Sequence, residues 1–127
     1  MRLPSEAVRL DEAVLAAARI ARGTRVLDLG CGQGDLTLAL LSLGADVTIL
    51  EVDLERMRFL DITMHSAHTL YSSEAHLTEL MPTVDLLIGA VLVPGAKAPK
   101  LITREMLRAM RPGSVVVDIA MDQGGCV

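Results

Sequence analysis

The sequence predicts an α/β fold, a doubly wound three-layer sandwich around a five-stranded parallel sheet of order 3-2-1-4-5. Three observations predict it. Short apolar runs alternate with amphipathic ones along the chain, the rhythm of right-handed βαβ units. Hydrophobic residues make up 51 % of the chain, yet Phe59 and Tyr71 are its only aromatics. Small and branched aliphatics therefore dominate, as strands covered by helices on both faces require. Finally, Gly30, Gly32 and Gly34 stand where the first strand gives way to a helix.

The elements follow in order. Ser5 caps a helix to about residue 22, with Val8, Ala13, Leu15, Ala16 and Ile20 on its apolar side, and Gly23 stops it. Arg25–Leu29 is the first strand, and residues 35–43 form the helix leaving the glycine loop. Gly44 ends that helix, and Asp46–Glu51 is a β-branched second strand. Asp53 caps a helix running to about Met64. Residues 68–72 make a weaker third strand, and Glu74–Leu80 a short helix closed by Pro82. Residues 84–92 form a strong buried strand ended by Pro94 and Gly95. Thr103 caps a helix to about Met110, Pro112 and Gly113 turn the chain, and residues 114–120 are the last strand. No repeat or linker interrupts this rhythm, so residues 1–127 are expected to form one Rossmann-like cofactor-binding domain.

Composition narrows the function classes. A formal charge of −4 offers no concentrated basic surface, so no nucleic-acid partner is expected. No apolar run reaches membrane-spanning length, and residues 1–10 lack the apolar centre of a signal peptide, so a cytoplasmic protein without a membrane partner is expected. Cys31 and Cys126 make neither a disulfide framework nor a metal-ligand pair. His65, His68 and His76 are scattered and read as surface residues, not metal ligands. Cys31 reads as a small loop residue, because no paired base would make it a nucleophile. Lys97 and Lys100 read as structural or interfacial.

In a 3-2-1-4-5 sheet the ligand crevice opens at the carboxyl ends of the first and fourth strands. The candidate cradle is Gly30, Cys31, Gly32, Gln33 and Gly34, with Ala90 and Val91 facing it from the fourth strand. Glu51, about 20 residues past the start of the glycine loop, can accept hydrogen bonds from both hydroxyls of an adenosine ribose. Asp53 is better read as a helix cap. Val52, Ser72 and Ser73 fall near the adenine. An adenosine-containing small molecule is thus the expected partner, and the ribose contact does not choose among such molecules. The loop is expected to choose. A dinucleotide fingerprint wants G-x-G-x-x-G, but the sixth position counted from Gly30 is Asp35. A carboxylate there repels a pyrophosphate, although it equally suits a helix start. Asp28, inside the first strand, costs several kcal/mol unless paired and is read as lying near an ammonium of the ligand.

Two resemblances follow. VLDLGCGQG, within VRLDEAVLAAARIARGTRVLDLGCGQGDLTLALL, resembles motif I of class I S-adenosylmethionine (SAM)-dependent methyltransferases and covers residues 1–42. GADVTILEVDLERMRFLD and DLLIGAVLVPGAKAPKLITREMLRAMRPGSVVVDIAMDQGGCV are similar to the NAD-binding domain of alanine dehydrogenase and transhydrogenase, over residues 43–127. The first resemblance implies SAM as the cofactor, and the second implies NAD. The expectation is therefore a SAM-binding Rossmann domain, an engineered chimera joined near residues 42–44, with NAD binding as the alternative. A chain that folds but binds nothing useful is the third reading. No complete active site is expected. The dehydrogenase resemblance implies that Asp122 stands near nicotinamide and substrate, and that the catalytic Lys, His and substrate-binding Arg lie on another domain. The methyltransferase resemblance lacks its acceptor motif after the fourth strand. The end at Val127 is expected to bare a surface through which two copies pair.

Overall fold

A computed structural model describes residues 19–30, 35–89 and 102–118. It contains strands β1 (Arg25–Leu29), β2 (Asp46–Glu51), β3 (His68–Tyr71), β4 (Leu86–Gly89) and β5 (Val115–Asp118). Between them lie helices α1 (Asp35–Ser42), α2 (Leu54–Thr63), α3 (Glu74–Leu80) and α4 (Arg104–Arg108), with a 3-10 turn over Met81–Thr83. The sheet order is β3-β2-β1-β4-β5, with every pairing parallel. The expected Rossmann-like architecture is the one observed.

Alternation along the strands divides the core in two. Val26, Val47, Ile49, Leu86 and Ile88 meet Leu40 of α1 and Leu60 of α2 on one face. Leu27, Leu29, Leu50 and Leu87 meet Leu77, Met81, Ile102 and Met106 on the other. Helices form where caps start them. Asp53 accepts from the N–H groups of Glu55 (3.0 Å) and Arg56 (3.3 Å), so it is the N-cap that the sequence suggested. Ser73 caps α3 through His76 N–H at 3.1 Å, and Thr103 caps α4 through Met106 N–H at 3.2 Å. Gly44 closes α1 with φ +85°, a left-handed turn that glycine adopts without strain.

At the amino edge of the sheet, Asp85 ties three strands. Its Oδ2 accepts from Arg25 N–H at 2.9 Å, and its Oδ1 lies 3.2 Å from Arg111 Nη1 just before β5. Its backbone also bridges the strands, donating to Arg25 O at 2.8 Å and accepting from Val115 N–H at 2.9 Å.

Three boundaries differ from expectation. The first helix does not reach residue 22, because Arg19 takes a left-handed φ of +51°, which breaks an α-helix; residues 1–18 lie outside the described part. The fourth strand starts at Leu86, since the chain leaves the 3-10 turn through Val84 and Asp85 before joining the ladder. Pro82 does not simply close α3 but sits inside that 3-10 turn, where its missing N–H costs nothing.

Ile49 is fully buried at the centre of one core, whereas Ile62 on α2 is 70 % exposed. Ile49→Ala is expected to cost about 2–5 kcal/mol in urea unfolding. Ile62→Ala is expected to stay within about 0.5 kcal/mol.

Candidate functional site

Strand β1 is bonded to β2 on one side and β4 on the other, so the chain reverses its direction of travel across the sheet at this strand. The groove beyond the carboxyl ends of β1 and β4 is where ligands settle in such sheets. Gly30 follows β1 at φ +72° and donates its N–H to Leu50 O at 3.1 Å. That bond extends the β1–β2 ladder one step before the chain turns away. Leu29 of β1 stands beside Gly89, the last residue of β4, so no side chain rises from β4 at that point.

Glu51 ends β2. Its Oε2 accepts from the N–H groups of Val52 (2.8 Å) and Asp53 (3.3 Å), and its Oε1 lies 3.5 Å from Arg56 Nε. Its side chain is only 12 % exposed, so the carboxylate is held in one orientation at the rim. Tyr71 stands next to it in the β2–β3 register. Val52 and Tyr71, at 60 % and 49 % exposure, leave apolar surface open beside that carboxylate. Ser72 N–H donates to Glu51 O at 2.9 Å, which brings the end of β3 to the same rim. Ser73 is occupied as the α3 cap, and His76 Nδ1 lies 2.6 Å from Tyr71 O.

Asp28 is 2 % exposed and shares a sheet face with Val26. Thr37 of α1 donates its hydroxyl to Asp28 Oδ2 at 2.8 Å, while Oδ1 has no hydrogen-bond partner among the described residues. Burial pushes the carboxyl up from its ordinary value to about 6. The Thr37 bond pulls it down and the Glu51 charge adds to the rise.

The structure thus brings together Asp28, Gly30, Glu51, Val52, Ser72 and Ser73 at or near one end of the sheet. Cys31, Gly32, Gln33, Gly34, Ala90, Val91 and Asp122 lie outside the described residues. Sequence reading missed Thr37, Arg56 and Tyr71. Thr37 was detectable as a polar residue set among Leu36, Leu38 and Leu40 in the helix that follows Asp28. Arg56 stands five residues past Glu51, and nothing in the spacing alone shows their contact. Among the described residues no group of three His, Cys, Asp or Glu side chains could hold a metal, and no helix is long and apolar enough to cross a membrane.

Comparison with known proteins addresses the choice of ligand. The family model for the alanine dehydrogenase/PNT C-terminal domain matches residues 12–127. The alanine dehydrogenase of Bacillus subtilis (strain 168) is 52 % identical over 88 residues, which cover 68 % of this chain and 23 % of that protein. A solved L-alanine dehydrogenase superposes with TM-score 0.79 at 35 % identity, over 95 % of this chain and 37 % of the other. The transhydrogenase from Sinorhizobium meliloti gives TM-score 0.78 at 29 % identity, over 94 % and 40 %. The chain therefore spans about a quarter of the length of the curated relatives it matches.

These findings overturn SAM as the expected cofactor and SAM binding as the expected function. The nine residues of the motif-like stretch were given more weight than they can carry. Contacts to an adenosine do not separate SAM from NAD, whereas the dehydrogenase likeness extends over 116 residues. It also crosses the expected join near residues 42–44 without a break, so a two-parent origin gains no support. A weaker likeness to a sarcosine dimethylglycine methyltransferase fold of Galdieria sulphuraria, at 20 % identity and TM-score 0.52, speaks for the shared fold alone.

A carboxyl raised to about 6 holds its proton more tightly in the folded chain than in the unfolded one. Its contribution is therefore greatest below about pH 4 and is lost as pH rises towards 6. Asp28→Asn is expected to stabilise the chain at pH 7.5, by about 3 kcal/mol at most. At pH 4 the advantage should vanish, as measured by urea unfolding across pH.

Proposed function

Because the chain belongs to the alanine dehydrogenase/PNT C-terminal domain family, we propose that it binds NAD across the carboxyl ends of β1 and β4, as the nucleotide-binding part of an NAD-dependent oxidoreductase of the alanine dehydrogenase kind. The observation that carries this reading is Glu51. It closes β2 with its carboxylate fixed at the rim by two backbone N–H groups, and exposed Val52 and Tyr71 lie beside it. A carboxylate so held can accept from the two ribose hydroxyls, and the apolar surface next to it suits a purine ring. The fit is good at this end of the ligand.

At the other end the chain departs from the usual pattern, since the third glycine of G-x-G-x-x-G is absent and Asp35 stands in its place. Gly30, at φ +72°, still turns the chain sharply at the strand end and lets backbone come close to a diphosphate. NAD, when bound, supplies a nicotinamide ring that can accept hydride. The residues of this chain bind and orient it: Glu51 holds the ribose, Gly30 admits the diphosphate, and the family resemblance implies that Asp122 serves the nicotinamide end. Glu51 also sets the choice between nucleotides, because a fixed carboxylate repels a 2′-phosphate.

Calorimetric titration tests this. NAD is expected to give saturable heat, with NADP at least tenfold weaker. Glu51→Ala should lose about tenfold or more in NAD affinity, the worth of hydrogen bonds to a charged group, while circular dichroism shows the fold retained. Absence of NAD binding to the unmodified chain, or full affinity in a folded Glu51→Ala, rejects the reading.

A further inference from the structure

We propose that Asp28 is a charge-selective residue of the nucleotide site: a diphosphate docks at the end of β1 only as Asp28 Oδ1 takes up a proton from solvent. The inference rests on the dinucleotide reading above and adds to it the residue that makes binding depend on ligand charge.

The geometry leaves Oδ1 as the atom for that proton. Thr37 already occupies Oδ2 with its hydroxyl at 2.8 Å, and Oδ1 is buried without a partner among the described residues. Asp28 lies two residues before Gly30, at the root of the turn that the diphosphate must approach. Among the described residues, the groups whose contact or register with it is known are apolar, hydroxyl or acidic. Its ladder neighbours are Ile49 of β2 and Ile88 of β4, both fully buried. From α1 the polar neighbour is the Thr37 hydroxyl. Among the described residues Glu51, itself an acid, also acts on it, and the Arg56 guanidinium of α2 lies 3.5 Å from Glu51 Oε1.

Two phosphate charges brought to this end of the sheet would add to the negative charges of Asp28 and Glu51. In a poorly hydrated site that repulsion is strong. A proton on Oδ1 removes one of the acids without moving an atom, and the neutral carboxyl keeps its Thr37 bond and gains a donor. Burial already holds this carboxyl near 6, so at pH 7 the protonated form is only about tenfold short of the ionised one.

The test is NAD affinity by calorimetry from pH 6 to pH 8, in buffers of different ionisation enthalpy, on the full chain and on Asp28→Asn. NAD is expected to bind about fiftyfold more tightly at pH 6 than at pH 8, with net proton uptake. Asp28→Asn should bind with a flat profile and no uptake, near the affinity the unmodified chain shows at pH 6. Adenosine, which has no phosphate, should be flat in both. A wild-type profile that is flat while NAD binds overturns this proposal alone. A slope that persists in Asp28→Asn assigns the titration elsewhere and overturns it as well. No NAD binding at any pH, in either protein, overturns the cofactor reading and this one with it. Should Asp28→Asn fail to fold, the carboxyl carbon shift of Asp28 in carbon-13-labelled protein decides. The proposal requires its titration midpoint to rise when NAD is added, and an unmoved midpoint contradicts it.

Discussion

Strand β1 bonds to neighbours on both edges, and much of the architecture depends on that double pairing. With its ladder satisfied on both sides and its last four residues buried, it can meet solvent only at its ends. Helices must then cover both sheet faces, and the two apolar clusters divide accordingly. The connection through α1 carries the chain to β2 and then outward to β3, so it must return across the sheet to reach β4. That reversal is the topology in which a ligand groove opens at the carboxyl ends of such sheets. Asp85 secures the opposite edge through Arg25 and Arg111, so the two ends of the sheet have different tasks.

The carboxyl end concentrates acids where the fold would more simply place apolar side chains. Asp28 takes a core position and has one hydroxyl for company; Glu51 sits at the rim with two backbone N–H groups and an arginine. The difference in surroundings separates their behaviour. Glu51 is fixed in one orientation suited to accepting hydrogen bonds from hydroxyls, while burial brings Asp28 close to the point of becoming neutral. Buried groups poised in this way cluster at sites that act on ligands.

Much of the fold was legible in the sequence because its signals are local. Asp53 and Thr103 announce helix starts by residue type, and the β-branched run of Asp46–Glu51 reads as a strand without tertiary help. Boundaries were less legible where a tertiary role overrode the pattern. Val84 is buried like a strand residue yet precedes the ladder, and Asp85 is used for bonds to β1 and Arg111. At the site, Glu51 could be placed by its distance from the glycines, whereas its link to Arg56 and the bond from Thr37 to Asp28 exist only once helices pack on the sheet. The ligand was misread for a physical reason: adenosine is common to SAM and NAD, so ribose contacts cannot tell them apart, and one short loop was asked to decide.

NAD is proposed to bind at the carboxyl ends of β1 and β4. Amide chemical-shift mapping in solution during an NAD titration tests it most directly. The largest movements are expected on Gly30, Val52, Asp53 and Ser72, at the ends of β1, β2 and β3. Movements centred instead on Asp46, His68 and Asp85, at the amino edge of the sheet, would contradict it.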